Sequence, residues 1–63
     1  MSVKRRDVLK HFENNGWHFQ REGSNHTIYT NDNGRSIPIK RYKIFDRISA
    51  NLLCKQAGIP AIF

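Results

Sequence analysis

His26 follows Gly23-Ser24-Asn25 and precedes the β-branched and aromatic run Thr27-Ile28-Tyr29. Histidine suits proton transfer because its unperturbed pKa of about 6.5 lies near operating pH. Arg21 and Arg41 flank it in sequence and bring the positive charge that stabilises a phosphorane. Proton transfer beside fixed cations is what RNA cleavage requires, since RNA supplies its own nucleophile in the 2′-hydroxyl and needs no metal ion for the step. The products of such a reaction are a 2′,3′-cyclic phosphate and a 5′-hydroxyl. On spacing alone the plainer reading is the commoner one: a lone histidine beside a turn is solvated or hydrogen-bonded to backbone.

The neighbouring residues carry the same two readings. Gly23, Ser24 and Asn25 are all favoured in β-turns, and as small residues they also let a phosphate approach the backbone and His26. Lys40, Arg41 and Lys43, with Arg21, are the candidate phosphate contacts. Trp17 and Tyr29 can stack on bases, but among seven aromatics they fit a core better. Tyr42 reads as a loop cap, His11 and His18 as surface residues, and Cys54 as a small buried hydrophobe. The histidines and the cysteine are scattered, without the close pairs of a zinc site. Neither a metal nor a cofactor is expected, and no glycine-rich nucleotide loop is present.

Eleven Lys and Arg against five Asp and Glu give a formal charge of +6, with an isoelectric point near 10.1. Such a field attracts polyanions. Nucleic acid leads, because cations that neutralise phosphates release counterions and give affinity independent of sequence. A solvated basic surface or a patch for an acidic protein accounts for the same charge. Sixty-three residues are expected to form one domain, residues 1–63, burying only about 60% of the unfolded surface. A core of that size supplies roughly 3–5 kcal/mol, and the single cysteine cannot form an internal disulfide. Sparse cysteine favours a reducing, cytoplasmic setting. The opening MSVKRRDV lacks the apolar segment of a signal peptide.

The elements that must position these residues follow from punctuation and periodicity. Residues 3–15 predict a helix capped by Ser2, with Val8, Leu9 and Phe12 on one face and Lys4, Arg6 and Lys10 on another, stopped by Asn15-Gly16. Residues 17–21 alternate as a half-buried strand with Trp17 and Phe19 inward. Residues 26–30 are a second strand by composition. Asn33-Gly34 marks a tight turn, and residues 36–40 form a third strand whose Ile37 and Ile39 face the core. Pro38 cannot donate to a ladder and makes that strand an edge. Asp46 caps a final helix in which Ile48, Leu52 and Leu53 recur at helical spacing, with Gly58 and Pro60 ending it. The result is a two-layer α+β domain of order α-β-β-β-α, with a three-stranded antiparallel sheet. Both helices are expected on one face, leaving the other open to a ligand.

These pieces together carry a resemblance. A first helix followed by Gly16-Trp17, then REGSNHTIY, an Asn-Gly turn, IPIKR and a capped helix ending LLCKQAGI are similar to the HicA family of bacterial and archaeal toxin ribonucleases over roughly residues 4–59. The resemblance implies a fold like a double-stranded-RNA-binding domain, metal-independent cleavage of messenger RNA, and neutralisation by a HicB-type antitoxin. It also places the family's characteristic histidine at His26. One departure stands out: many members have Pro-Arg-His where this chain has Lys40-Arg41-Tyr42. The alternative function is a non-catalytic RNA-binding module that reads A-form shape through backbone and 2′-hydroxyl contacts. A free chain of either kind is expected to be a monomer.

Overall fold

The computed structural model describes residues 2–63. In chain order the elements are β1 (Ser2–Lys4), α1 (Arg5–Asn14), β2 (Trp17–Glu22), β3 (His26–Asn31), β4 (Ser36–Lys40), β5 (Ile44–Asp46) and α2 (Arg47–Ala57). Strands β2, β3 and β4 form an antiparallel sheet in that order, while β1 and β5 pair separately as a short antiparallel ribbon. The α+β arrangement of a three-stranded sheet with two helices is the expected one, and is consistent with the double-stranded-RNA-binding type of fold.

The alternation of β3 and β4 sets the two faces of the sheet. Thr27 and Tyr29 of β3 and Ile37 and Ile39 of β4 are buried, while Ser36, Pro38 and Lys40 are exposed. The inward set joins Val8 and Phe12 of α1 and Ala50, Cys54 and Ala57 of α2 in one core, with Phe12 edge-on to both Trp17 and Tyr29. Trp17 and Tyr29 are therefore core residues. The Tyr29 hydroxyl donates to Glu13 Oε2 at 2.8 Å. Burial, that hydrogen bond and the Glu13 charge push its pKa up to about 12.

Several local expectations hold. The Asp46 side chain accepts from the Ser49 amide at 2.8 Å, and Gly58 ends α2 at φ 74°. The β3–β4 turn is organised by Asn31, whose Oδ1 accepts from the amides of Asn33 and Arg35, with the left-handed residue at Gly34. Pro38 lies on an edge strand, paired only with β3.

Three expectations are corrected. The first helix does not start at residue 3 under a Ser2 cap. Ser2–Lys4 is a strand whose Val3 is buried opposite Phe45, and Lys4 occupies the cap position without a side-chain bond. The Arg5 amide is satisfied by Lys43 O at 2.9 Å, so a backbone contact does the work of a cap. Second, Phe19 is 52% exposed, because β2 is an outer strand and only Trp17 of it reaches the core. Third, α2 turns a different stripe inward. Ala50, Cys54 and Ala57 are buried and Leu53 packs against them, whereas Ile48 and Leu52 are exposed. Small residues let the helix come close to the sheet, and the larger ones at the other phase are left outside.

Candidate functional site

His26 is the first residue of β3 and Lys40 the last of β4, and the two are opposed in the ladder. Directly opposed residues project from the same face, with Cβ atoms typically about 4.5–5.5 Å apart. That face is the one the helices leave uncovered. Asn25, Arg41 and Tyr42 complete a shallow concavity around the pair. The Lys40 ammonium lies 5.6 Å from the centre of the Tyr42 ring. Among the described residues none hydrogen-bonds the His26 imidazole, so both ring nitrogens are free to meet a ligand.

The backbone of His26 is held far more tightly than its ring. The Gly23 amide donates to His26 O at 2.7 Å. A Cβ on Gly23 would stand 3.2 Å from that same oxygen, so the glycine serves the close approach of the two chains; its φ is not left-handed. Arg41 closes the loop from outside. Its Nε donates to Glu22 Oε1 at 3.0 Å, and its Nη groups donate to Gly23 O, Ser24 O and His26 O. Arg41 thus clamps the turn that carries His26.

A β-bulge decides where Arg21 points. Phe19 opposes Tyr29, but the next pairs are Arg21 with Ile28 and Glu22 with Thr27. The irregularity at Gln20 shifts the strand by one residue, which exchanges its faces. Without it Arg21 would oppose Thr27 on the helix-covered side. With it, Arg21 shares the open face with Ile28 and His26, and Glu22 turns in toward Thr27.

That inward turn builds a polar network the sequence did not disclose. Thr27, 2% exposed, donates to Glu22 Oε1 at 3.0 Å and accepts from Arg5 Nη2. Arg5 Nη1 donates to Lys40 O at 2.7 Å. The start of α1, the ends of β2 and β4, and the His26 loop are therefore joined through Arg5, Thr27, Glu22 and Arg41. Among the described residues no buried side-chain polar atom lacks a partner. One signal did exist: Thr27 falls on the inward register of β3, where a hydroxyl needs a partner.

The structure brings Asn25, His26, Lys40 and Arg41 together, with Gly23 and Ser24 in the supporting loop. Lys43 does not join them; it lines another concavity with Lys4, Arg5, Arg6 and Ile44. His18 is exposed on β2, and His11 bonds Pro60 O at 2.7 Å with its ring edge-on to Phe63. Cys54 is buried, which pushes its thiol pKa up and keeps it from acting as a nucleophile. Among the described residues no three His, Cys, Asp or Glu side chains converge as metal ligands would. None of the described helices is long and apolar enough to cross a membrane.

Comparison with protein families adds one match: the family described as the HicA toxin of bacterial toxin–antitoxin systems, over residues 5–59. The chain belongs to the HicA toxin family. The match takes in α1, the whole three-stranded sheet, the His26 loop and α2. No curated protein and no solved structure gives a significant match. HicA toxins as a group are associated with ribonuclease activity and with a paired antitoxin. Tyr42, the residue at which the sequence departs from the resemblance, lines the same concavity as His26.

Proposed function

We propose that this chain is the toxin of a toxin–antitoxin pair and an endoribonuclease that cleaves messenger RNA in the cytoplasm, using His26 and no metal ion. The observation that carries the reading is the pairing of His26 with Lys40 on the uncovered face of the sheet, in a protein of charge +6. The 2′-oxygen attacks the adjacent phosphorus, its proton is removed, and the P–O bond to the 5′-oxygen breaks as that oxygen is protonated. His26 performs one of these proton transfers. Lys40 stabilises charge on the phosphorane. Arg41 keeps the histidine's loop in place, while Arg21 and the Ser24-Asn25 turn bear on flanking phosphates. Lys43 contributes to a further basic patch. The whole chain acts as one domain around its common core, and a HicB-type antitoxin silences the monomeric toxin by covering the site.

Substitution of His26 by alanine tests the reading. The expected result is loss of growth arrest and of RNA cleavage with circular dichroism unchanged, since His26 is not part of the core. Cleavage by the unmodified protein is expected to continue in EDTA, with products ending in cyclic phosphate. Undiminished cleavage by the variant would remove His26 from the mechanism, and inhibition by EDTA would remove its metal-free form. A protein that only bound RNA shape would be insensitive to the loss of His26.

A further inference from the structure

From the His26–Lys40 pair a groove of about 490 Å³ runs between β4 and α2. Ligand sites of roughly 300–1,000 Å³ are ordinary for small molecules, so the groove is large enough for a nucleotide. Tyr42 forms one wall. It is 52% exposed, yet its ring leans on the buried Phe45 at 5.6 Å between centroids and is flanked by the Lys40 ammonium. Pro38 and the exposed Leu52 supply apolar surface, and Gln56 a side-chain amide able to donate and accept.

The lining of the groove carries both signs of charge. Lys40 stands beside His26, and the Asp46 carboxyl, which caps α2, is held below its usual range by the Ser49 amide and hydroxyl and so stays ionised. An occupant with an anionic end is therefore oriented, its charge toward Lys40 and its uncharged part along the apolar walls. A nucleotide has this form: a flat ring with apolar faces and hydrogen-bonding edges, tethered to a phosphate. A base inside a duplex does not offer its faces, whereas proteins that read single strands stack bases on exposed aromatics.

We propose that this groove takes an unpaired nucleobase stacked on Tyr42, next to the phosphate held at His26 and Lys40, so that the substrate is single-stranded RNA. The proposal rests on the reading of the His26–Lys40 pair as the cleavage site, with which the groove is continuous. It gives Tyr42, where many family members have histidine, a part in binding rather than in proton transfer.

The test uses the full chain and 2′-O-methyl oligoribonucleotides, which cannot be cleaved because the attacking hydroxyl is blocked. A 2-aminopurine placed at each position in turn loses fluorescence when it stacks. Quenching is expected with the single strand and not with the same sequence in a duplex. Tyr42→Ala should abolish the quenching and weaken binding on the order of tenfold, whereas Tyr42→Phe should retain both. RNA that binds with ordinary salt dependence but shows no quenching dependent on Tyr42 would overturn the base site while leaving the cleavage reading intact. Absence of RNA binding together with absence of cleavage would overturn both. If Tyr42→Ala weakens only antitoxin binding, the groove belongs to the protein partner and the proposal fails.

Discussion

The Arg41 guanidinium meets the Glu22 carboxylate at 3.0 Å across the mouth of the His26 loop. Both side chains are substantially exposed, so the ion pair itself is worth only about 0–1 kcal/mol. Its effect is geometric, since the same guanidinium also holds the loop carbonyls. Among the described residues, by contrast, no acid pairs with the Lys40 ammonium. Two substitutions should therefore behave differently in a His26→Ala background. Lys40→Ala should lower the slope of log affinity against log salt by about 0.7–1 unit, as expected for one lost phosphate contact. Arg41→Ala should change that slope much less, and in an otherwise intact protein should still slow cleavage by loosening the loop. Equal slope changes would show that Arg41 releases its loop to bind phosphate.

Thr27→Val removes a hydroxyl at a position with almost no exposure and leaves Arg5 Nη2 without its acceptor. The expected cost is about 1–3 kcal/mol, the penalty of an unsatisfied buried group. Urea denaturation should show a lower midpoint with an unchanged m-value, and Thr27→Ser should recover most of the loss. A neutral Thr27→Val would mean that water replaces the hydroxyl and that the network is not needed for the fold.

Tyr29 links stability to alkaline pH. Its folded pKa is raised from 10.0 to about 12, chiefly by burial, so folding favours the neutral phenol. That contribution is complete below pH 10 and is lost as pH rises toward 12. The unmodified protein should lose stability across this interval more steeply than Tyr29→Phe, which cannot ionise there. At neutral pH the phenylalanine variant should be less stable by about 1 kcal/mol, having lost the bond to Glu13. Parallel curves from pH 8 to 12 would contradict the assignment.

The antitoxin prediction concerns where protection falls. A HicB-like protein that covers the site should slow hydrogen exchange in residues 21–29 and around Arg41, raise the melting temperature by linkage, and bind faster at low salt. Protection confined to the outer side of the helices, with cleavage still inhibited, would replace occlusion with an allosteric mechanism.

What the sequence disclosed was mostly local. Asp46 and Gly58 bracket α2 because capping chemistry is written in single residues, and Ile37 and Ile39 point inward because alternation survives in a short strand. What it concealed was non-local. The ribbon joins Val3 to Phe45, and three-residue strands are too short to show a period. In α2 the spacing of Ile48 and Leu52 is helical, but hydrophobicity alone did not reveal that the smaller Ala50, Cys54 and Ala57 would take the inner side. At the candidate site, His26 and its loop were visible as residues. The bulge that turns Arg21 outward and Glu22 inward was not, since only pairing with β3 defines it.

The ribbon of β1 and β5 also sets the order in which the site can be made during synthesis. Arg41 to Lys43 connect β4 to β5, and Arg5, next to β1, binds both Lys40 O and Lys43 O. The hairpin bearing both His26 and Lys40 is a local structure, but the segment that follows it, Arg41 to Lys43, is tied to Arg5 only when Ser2–Lys4 meets Ile44–Asp46, a contact that spans most of the chain. Closing so long a loop costs entropy that later packing must recover. A nascent chain can therefore form the His26–Lys40 hairpin early, while the Arg41–Lys43 segment beside it is anchored only after Ile44–Asp46 has emerged to pair with the first strand.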